Sequence, residues 1–350
     1  MSHSGDSHGD SPRVGVVLLG SGAFSVPSFE AIRARADALR VEIRMVVSQP
    51  DRPAGRGRLE QPTPVSEWAL SHSLPLIRPA NVNGTEPLET IQETKSALFV
   101  VVAFGQKLSL ELLRGVVAIN LHGSLLPAWR GAAPIQRSLM AGDARVGVSV
   151  IEVGERMDAG GVFAMAETPR IDGETAGELH DRLAVLGVDA LMKVVAQCLA
   201  GTARARAQDE SLATRARKLS RADAWVDFTR TADEVSSRIN GLSPWPGVDA
   251  TIAGHAVAIL RARVGGQAGG ANHGAANAAL AGEVHAAGEI LIDGTVACGT
   301  GSVELLEVQA PGSRAVALAA FLNGRRLGAG ARIESSPKPA SDSRDDGATR

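Results

Sequence analysis

Short apolar runs, each stopped by a small or polar residue, constrain this chain more than any other feature. They fall at Arg13–Leu19, Val41–Ser48, Ala97–Phe104, Val116–Ile119 and Val146–Val153. Runs this short and this rich in valine and leucine read as strands buried on both faces, the pattern of a parallel sheet. Between them lie helix-compatible stretches at Ala31–Leu39, Pro64–Ser71, Pro87–Thr94 and Ala132–Ala141, with one short strand near Leu76. Strand alternating with helix predicts an α/β fold with a parallel, doubly wound, Rossmann-like sheet. Its right-handed crossovers bring the strand carboxyl ends to one edge. A ligand crevice belongs beyond those ends.

The strand ends differ in chemistry. The first runs into Gly20-Ser21-Gly22-Ala23-Phe24-Ser25. A dinucleotide fingerprint needs a third glycine where Ser25 stands, so this stretch reads as a tight strand-to-helix turn. The run at Val116–Ile119 enters Asn120-Leu121-His122-Gly123-Ser124-Leu125-Leu126-Pro127. Asn120 and His122 are two apart, so an extended backbone presents both on one side. The segments 104–107 and 120–124 are expected to line one crevice. After Val146–Val153 comes a glycine-rich loop, Gly154 to Gly161, which carries Asp158 and leads to a strand at Val162–Ala166. A lone Asp among glycines is ordinarily a turn former. This one gains interest from the Asn–His pair.

A length of 350 residues predicts two domains, at about 100–200 residues each. A long helix over Thr175–Ala200, opened by Thr175 and Glu178 as a capping box, closes the first. The polar, arginine-rich stretch Gln208–Ala222 marks the boundary. Beyond it a helix at Ala232–Asn240 precedes short strands at Asp249–Ile252, Ala256–Val264, Gly288–Asp293, Thr295–Cys298 and Gly301–Val308, the spacing of a small β-barrel. Gly265–Gly282 reads as a Gly/Ala-rich loop, and 1–12 and 335–350 as disordered polar tails. The expected order is a first domain over 13–205, a linker over 206–222 and a barrel over 223–334.

Gln49–Val65 holds four prolines and two glycines and is expected to lack regular structure. Arg52, Arg56 and Arg58 make it basic. It reads either as a solvated loop or as an arm that orders against an anionic partner such as a phosphate backbone. The formal net charge of -2 excludes a strongly basic protein but leaves room for a local basic patch. Aromatics are only 3% and tyrosine is absent, which argues against stacking platforms for single-stranded nucleic acid. Cys198 and Cys298 are far apart and in no metal or redox spacing, as expected of reduced thiols in a cytoplasmic protein. No apolar run approaches the ~20 residues that span a bilayer. The N-terminal residues lack the apolar core of a secretory signal.

Taken on spacing alone, Asn120, His122 and Asp158 suit two readings. In the bland one, Asn120 caps a strand end and a backbone carbonyl satisfies His122. In the other they transfer an acyl group to an amine. Asn120 donates to the oxyanion of the tetrahedral intermediate. His122 moves the proton, and a carboxylate sets its charge and orientation. Ser124 lacks the strand–elbow–helix setting of a hydrolase nucleophile.

The run Asn120 to Pro127 resembles the signature of the 10-formyltetrahydrofolate-dependent formyltransferases. The continuation, Trp129-Arg130-Gly131-Ala132-Ala133-Pro134-Ile135-Gln136-Arg137, resembles the methionyl-tRNA formyltransferase branch, as do Gln49 to Gly57, Pro244-Trp245-Pro246-Gly247 and Phe321-Leu322-Asn323-Gly324. The resemblance extends from about Arg13 to Ile333 and implies a Rossmann-like formyltransferase domain followed by an OB-like barrel. It implies formyl transfer from 10-formyltetrahydrofolate to methionyl initiator tRNA by a monomer, with no metal and no membrane. Asn120, His122 and Asp158 would be the catalytic trio. Ser124, Leu125, Leu126 and Pro127 would line the folate site, and Arg52, Arg56, Arg58 and Lys218 would meet the tRNA. Relatives that formylate a glycinamide ribonucleotide or a nucleotide sugar share the trio. The Trp-Arg-Gly-Ala-Ala-Pro run, the basic arm and the barrel separate this branch from them. The linker departs from the family pattern, with Arg215-Ala216-Arg217-Lys218 where Tyr-Ala-Pro-Lys is usual.

Overall fold

The structure is a computed structural model and describes residues 12–54, 59–266 and 285–335. Arg56, Arg58, nearly all of the two tails and most of the Gly/Ala-rich segment lie outside the described residues. Two compact units make up the chain. One comprises Met1–Arg130, Gly147–Ala166 and Asp181–Thr214, the other Gly131–Val146, Glu167–His180 and Arg215–Arg350.

In chain order the strands up to the connector are β1 (Val14–Gly20), β2 (Val41–Val47), β3 (Arg52–Ala54), β4 (Leu59–Gln61), β5 (Leu76–Ile77), β6 (Leu98–Val102), β7 (Val117–His122), β8 (Arg130–Gly131), β9 (Arg145–Glu152) and β10 (Val162–Pro169). The helices are α1 (Val26–Ala34), α2 (Ala36–Leu39), α3 (Pro64–Ser71), α4 (Thr85–Glu93), α5 (Pro134–Met140) and α6 (Ala176–Leu199). A seven-stranded sheet in the order β10-β9-β7-β6-β1-β2-β5 is the frame. β5, β2, β1, β6 and β7 run parallel. β9 does not: it pairs with β7 antiparallel, so the sheet is mixed where an all-parallel one was expected. Val17 and Leu19 alternate along β1 and pack with Phe99 and Val101 of β6 in one apolar cluster.

The strand order reverses between β1 and β6, the switch point at which open α/β sheets place their crevice. Ser25, which breaks the glycine fingerprint, donates its hydroxyl to the Val102 carbonyl at 2.6 Å, and Ser21 donates to Phe104 at 3.2 Å. The turn therefore closes on the neighbouring strand through its own hydroxyls. α1 starts at Val26, five residues earlier than the expected Ala31, because Phe29 and Ile32 already face the core. The proline-rich stretch also departs from expectation. β3 and β4 form an antiparallel ladder in which Pro53 opposes Glu60. A two-stranded ribbon has free edges, and there a proline needs no donor.

In the second unit the elements are β11 (Arg215–Ala216), α7 (Ala232–Gly241), β12 (Val248–Ile252), β13 (His255–Val264), β14 (Val296–Ala297), β15 (Ser302–Gln309), α8 (Leu318–Arg325) and β16 (Ile333–Ser335). Five strands form an OB-like antiparallel sheet in the order β14-β15-β13-β12-β16. Its register slips around Arg261. The bulge frees both backbone groups of Ala262, and the Asn240 amide satisfies them: Nδ2 donates to Ala262 O at 2.7 Å and Ala262 N donates to Oδ1 at 2.9 Å. Gly288–Asp293, expected as a strand, makes only isolated bridges at Glu289 and Ile290. Ser335, expected at the start of the tail, is instead the last ladder residue of β16, opposite Ala250.

Candidate active site

β7 fixes the centre of the site. Leu121 pairs with Val102 at the end of β6, while Asn120 and His122 stand opposite Ile151 and Ser149 of β9. The two-residue period places Asn120 and His122 on the same face of the sheet. Among the described residues nothing hydrogen-bonds the Asn120 side-chain amide, which leaves its N–H groups available to a ligand. His122 is buried, with 5% of its surface exposed. Its Nε2 lies 2.9 Å from the Trp129 carbonyl. A carbonyl can only accept, so Nε2 carries the hydrogen and Nδ1 is the basic nitrogen of the neutral ring. Nδ1 faces Asp158 Oδ1 at 3.7 Å. The bland reading of His122 is thus half right: a backbone carbonyl does hold the ring, and in doing so it turns the free nitrogen toward a carboxylate.

Both groups that flank the ring sit on left-handed backbone, Trp129 at φ 65° and Asp158 at φ 52°. Left-handed φ is disfavoured for residues other than glycine and persists where the surroundings enforce it. Around Trp129 the enforcement is visible. Its N–H donates to Thr214 Oγ1 at 2.8 Å, and Arg130 N–H donates to the Thr214 carbonyl at 2.9 Å. The Asp158 loop leaves β9 beside Ala118, where Val153 N–H donates to the Ala118 carbonyl, yet it returns to reach His122. Gly160 makes that doubling back possible. A Cβ there would lie 1.9 Å from the Glu152 carbonyl oxygen.

The Ser124–Pro127 step divides into anchors and surface. Ser124 and Leu126 are buried, whereas Leu125 and Pro127 are half-exposed. Ser124 Oγ donates to Ala128 O at 2.7 Å. Ser149, fully buried, donates to Ser124 O at 2.8 Å and accepts from Leu126 N–H at 3.0 Å. The Leu126–Pro127 peptide is cis. Ser149 and Thr214 were not singled out in the sequence, because a single hydroxyl that serves a distant backbone leaves no local pattern.

A charged group borders the Trp129 segment. Arg130 meets Glu210 through two bonds of 3.0 Å each, and Arg156 meets the same carboxylate at 2.7 Å. The hydrogen bonds from Arg130, then those from Arg156, hold the Glu210 carboxyl down at about 2. Arg52 is exposed and donates to Gln49 Oε1 at 2.6 Å, while Gln49 Nε2 donates to Phe104 O at 3.0 Å. The root of the basic arm is thereby tied to the end of β6. Lys218 is exposed on the second unit. Among the described residues no group of three or more His, Cys, Asp or Glu side chains could hold a metal, and no helix is long and apolar enough to cross a membrane.

Residues 14–195 match the family described as "Formyl transferase", and residues 218–326 match "Formyl transferase, C-terminal domain". The chain is 37% identical over 320 residues to the methionyl-tRNA formyltransferase of Methylococcus capsulatus, covering 89% of this chain and 99% of the relative. It is also 39% identical over 318 residues to the one from Stenotrophomonas maltophilia, covering 89% and 97%. Among solved structures, the N-formyltransferase from Helicobacter canadensis in complex with folinic acid and dTDP-3-aminofucose matches at a TM-score of 0.61 and 14% identity, over 85% of this chain and 98% of that one. HypX from Aquifex aeolicus in complex with tetrahydrofolic acid matches at a TM-score of 0.55 and 17% identity, over 89% and 47%. At those identities the two structures speak for the fold alone.

Proposed function

The chain belongs to the methionyl-tRNA formyltransferase family, and from that membership we infer that it moves a formyl group from 10-formyltetrahydrofolate to the α-amino group of methionyl initiator tRNA, in support of translation initiation. The observation that carries the assignment of chemistry to this site is the orientation of His122, with Nε2–H committed to Trp129 O and Nδ1 turned to Asp158.

In the proposed reaction the methionyl amine attacks the formyl carbon and gives a tetrahedral intermediate. The Asn120 amide donates to its oxyanion. The attacking amine loses a proton to His122 Nδ1, and the Asp158 carboxylate stabilises the imidazolium that forms. The bond from formyl carbon to N10 then breaks, and N10 takes up the proton as tetrahydrofolate leaves. Leu125 and Pro127 offer apolar surface to the folate, while Ser124 and Leu126 hold the segment in place. Arg52, Arg56, Arg58 and Lys218 meet tRNA phosphates, an interaction that weakens with salt. In this reading residues 13–205 form the catalytic domain, 206–222 the linker and 223–334 the tRNA-binding barrel of a cytoplasmic monomer.

A side-by-side assay tests the acceptor. Purified protein with 10-formyltetrahydrofolate is offered methionyl initiator tRNA, a glycinamide ribonucleotide and a nucleotide-linked amino sugar. Formyl-methionyl-tRNA is the expected product. Formylation of a small amine alone would overturn the assignment.

A further inference from the structure

One side chain in the connector is fully hydrogen-bonded and less exposed than its neighbours. From Arg204 to Leu212 every residue is exposed except Gln208, which is half-buried. Its Nε2 donates to the Asp158 carbonyl at 2.8 Å and to the Gly160 carbonyl at 2.7 Å. Its Oε1 accepts from Arg130 Nε at 3.0 Å and from Arg130 Nη2 at 2.8 Å. A glutamine amide has two hydrogens to give and two lone pairs to fill, and here all four are used.

Those partners are the two pieces of chain on either side of the His122 ring. Asp158 and Gly160 bracket the loop whose carboxylate faces Nδ1. Arg130 follows Trp129, whose carbonyl holds Nε2. We propose that Gln208 is a positioning residue for formyl transfer, its carboxamide setting the separation between the Asp158 loop and the Trp129–Arg130 segment and so holding Asp158 against His122. The proposal rests on the roles given to His122 and Asp158 above. Gln208 touches no reacting atom and acts through the loop. Asp158 needs this support because its backbone is left-handed and its loop doubles back on β9. Without the two donated bonds the loop loses its tie to the Trp129–Arg130 segment, and the 3.7 Å separation between carboxylate and ring is no longer set from this side.

Gln208→Glu is the direct test. It keeps the shape and the acceptor for Arg130, and it sets an oxygen against two carbonyl oxygens. The cycle of Gln208→Glu, Asp158→Asn and the double variant is assayed in the full chain by steady-state formylation, with His122→Ala as control. For Gln208→Glu, kcat is expected to fall about tenfold to a hundredfold, as for small misplacements of a catalytic group. KM for both substrates is expected to stay within about twofold, the mark of an interaction realised in the transition state. In the Asp158→Asn background the same change is expected to cost nothing more, because both act through one group. Wild-type kcat in Gln208→Glu, a loss confined to KM, or additive losses would overturn the proposal. Wild-type turnover in Asp158→Asn or His122→Ala would remove the reading of the trio, and this proposal with it. Wild-type turnover in Gln208→Glu beside an inactive Asp158→Asn removes the proposal alone. Should the Glu variant not fold, Gln208→Met, which loses all four bonds without adding charge, is read by the same outcomes.

Discussion

Gly187 of α6 lies against Leu121 of β7 so closely that a Cβ on the glycine would come within 2.7 Å of Leu121 Cδ2. Leu121 is the residue between Asn120 and His122, and its side chain points to the opposite face of the sheet. The helix is thus seated on the back of the strand end that carries the amide and the imidazole. What looks like a helix–sheet packing detail sets how far that strand end can move.

Gly187→Ala is therefore expected to press on Leu121 in a close-packed core and to lower unfolding free energy by about 1–3 kcal/mol, the usual cost of overpacking. kcat should fall with it. Gly154→Ala is the control, since a Cβ there meets nothing within 4 Å. Chemical denaturation and steady-state rates on the two variants decide the matter. Equal stability and equal kcat would mean that the strand end yields freely.

Removal of the His122 ring is expected to lower kcat by about 10²–10⁴-fold and to leave folate binding intact, because the ring handles a proton rather than holding the pterin. Asn120→Ala, which removes an oxyanion donor, should cost about 10²–10³-fold. Single-turnover formylation and equilibrium binding of the folate separate the two quantities. Retained turnover in His122→Ala takes the ring out of the mechanism.

Neutralising Arg52, Arg56 and Arg58 together is expected to raise KM for methionyl-tRNA more than KM for the folate, and to flatten the dependence of tRNA affinity on salt. An equal effect on both substrates would assign the arm to something other than tRNA.

The Glu210 carboxyl, held at about 2 mainly by Arg130, gives a pH signature. A carboxylate whose folded pKa is depressed contributes stability above its unfolded value, near 4.3, and loses it as pH falls through the folded value. The link to Arg130 and Arg156 should be complete at neutral pH and fail only between about 4.3 and 2. A carboxyl-carbon NMR titration reads this directly. Arg130→Ala should move the midpoint up further than Arg156→Ala does, and the reverse order would contradict the geometry.

The strand ends were legible because an apolar run that stops abruptly at Asn120 leaves a physical mark, and because the alternation of Asn120 and His122 survives any register. Other features leave no such mark. A run such as Val146–Val153 reads the same whichever way the strand points, so the antiparallel β9 could not be distinguished from a parallel strand. Prolines in Gln49–Val65 argued against pairing, yet at a free edge Pro53 needs no donor. Asp158, by its glycine loop alone an ordinary turn former, gained interest only from the Asn120–His122 pair. What holds it in place left no mark, since hydrogen bonds from Gln208 to backbone carbonyls require only an amide at the right point in space.

Gln208 follows Asp158 by 50 positions in the chain. Chains are made from the amino end at about 5–20 residues per second. A growing chain that has just reached Asp158 already carries Asn120 and His122 and can pair β7 with β9, but the amide that clasps the loop is added about 2.5–10 seconds later. Assembly of the trio and closure of the loop around it are therefore separate events in time, and the second awaits the connector.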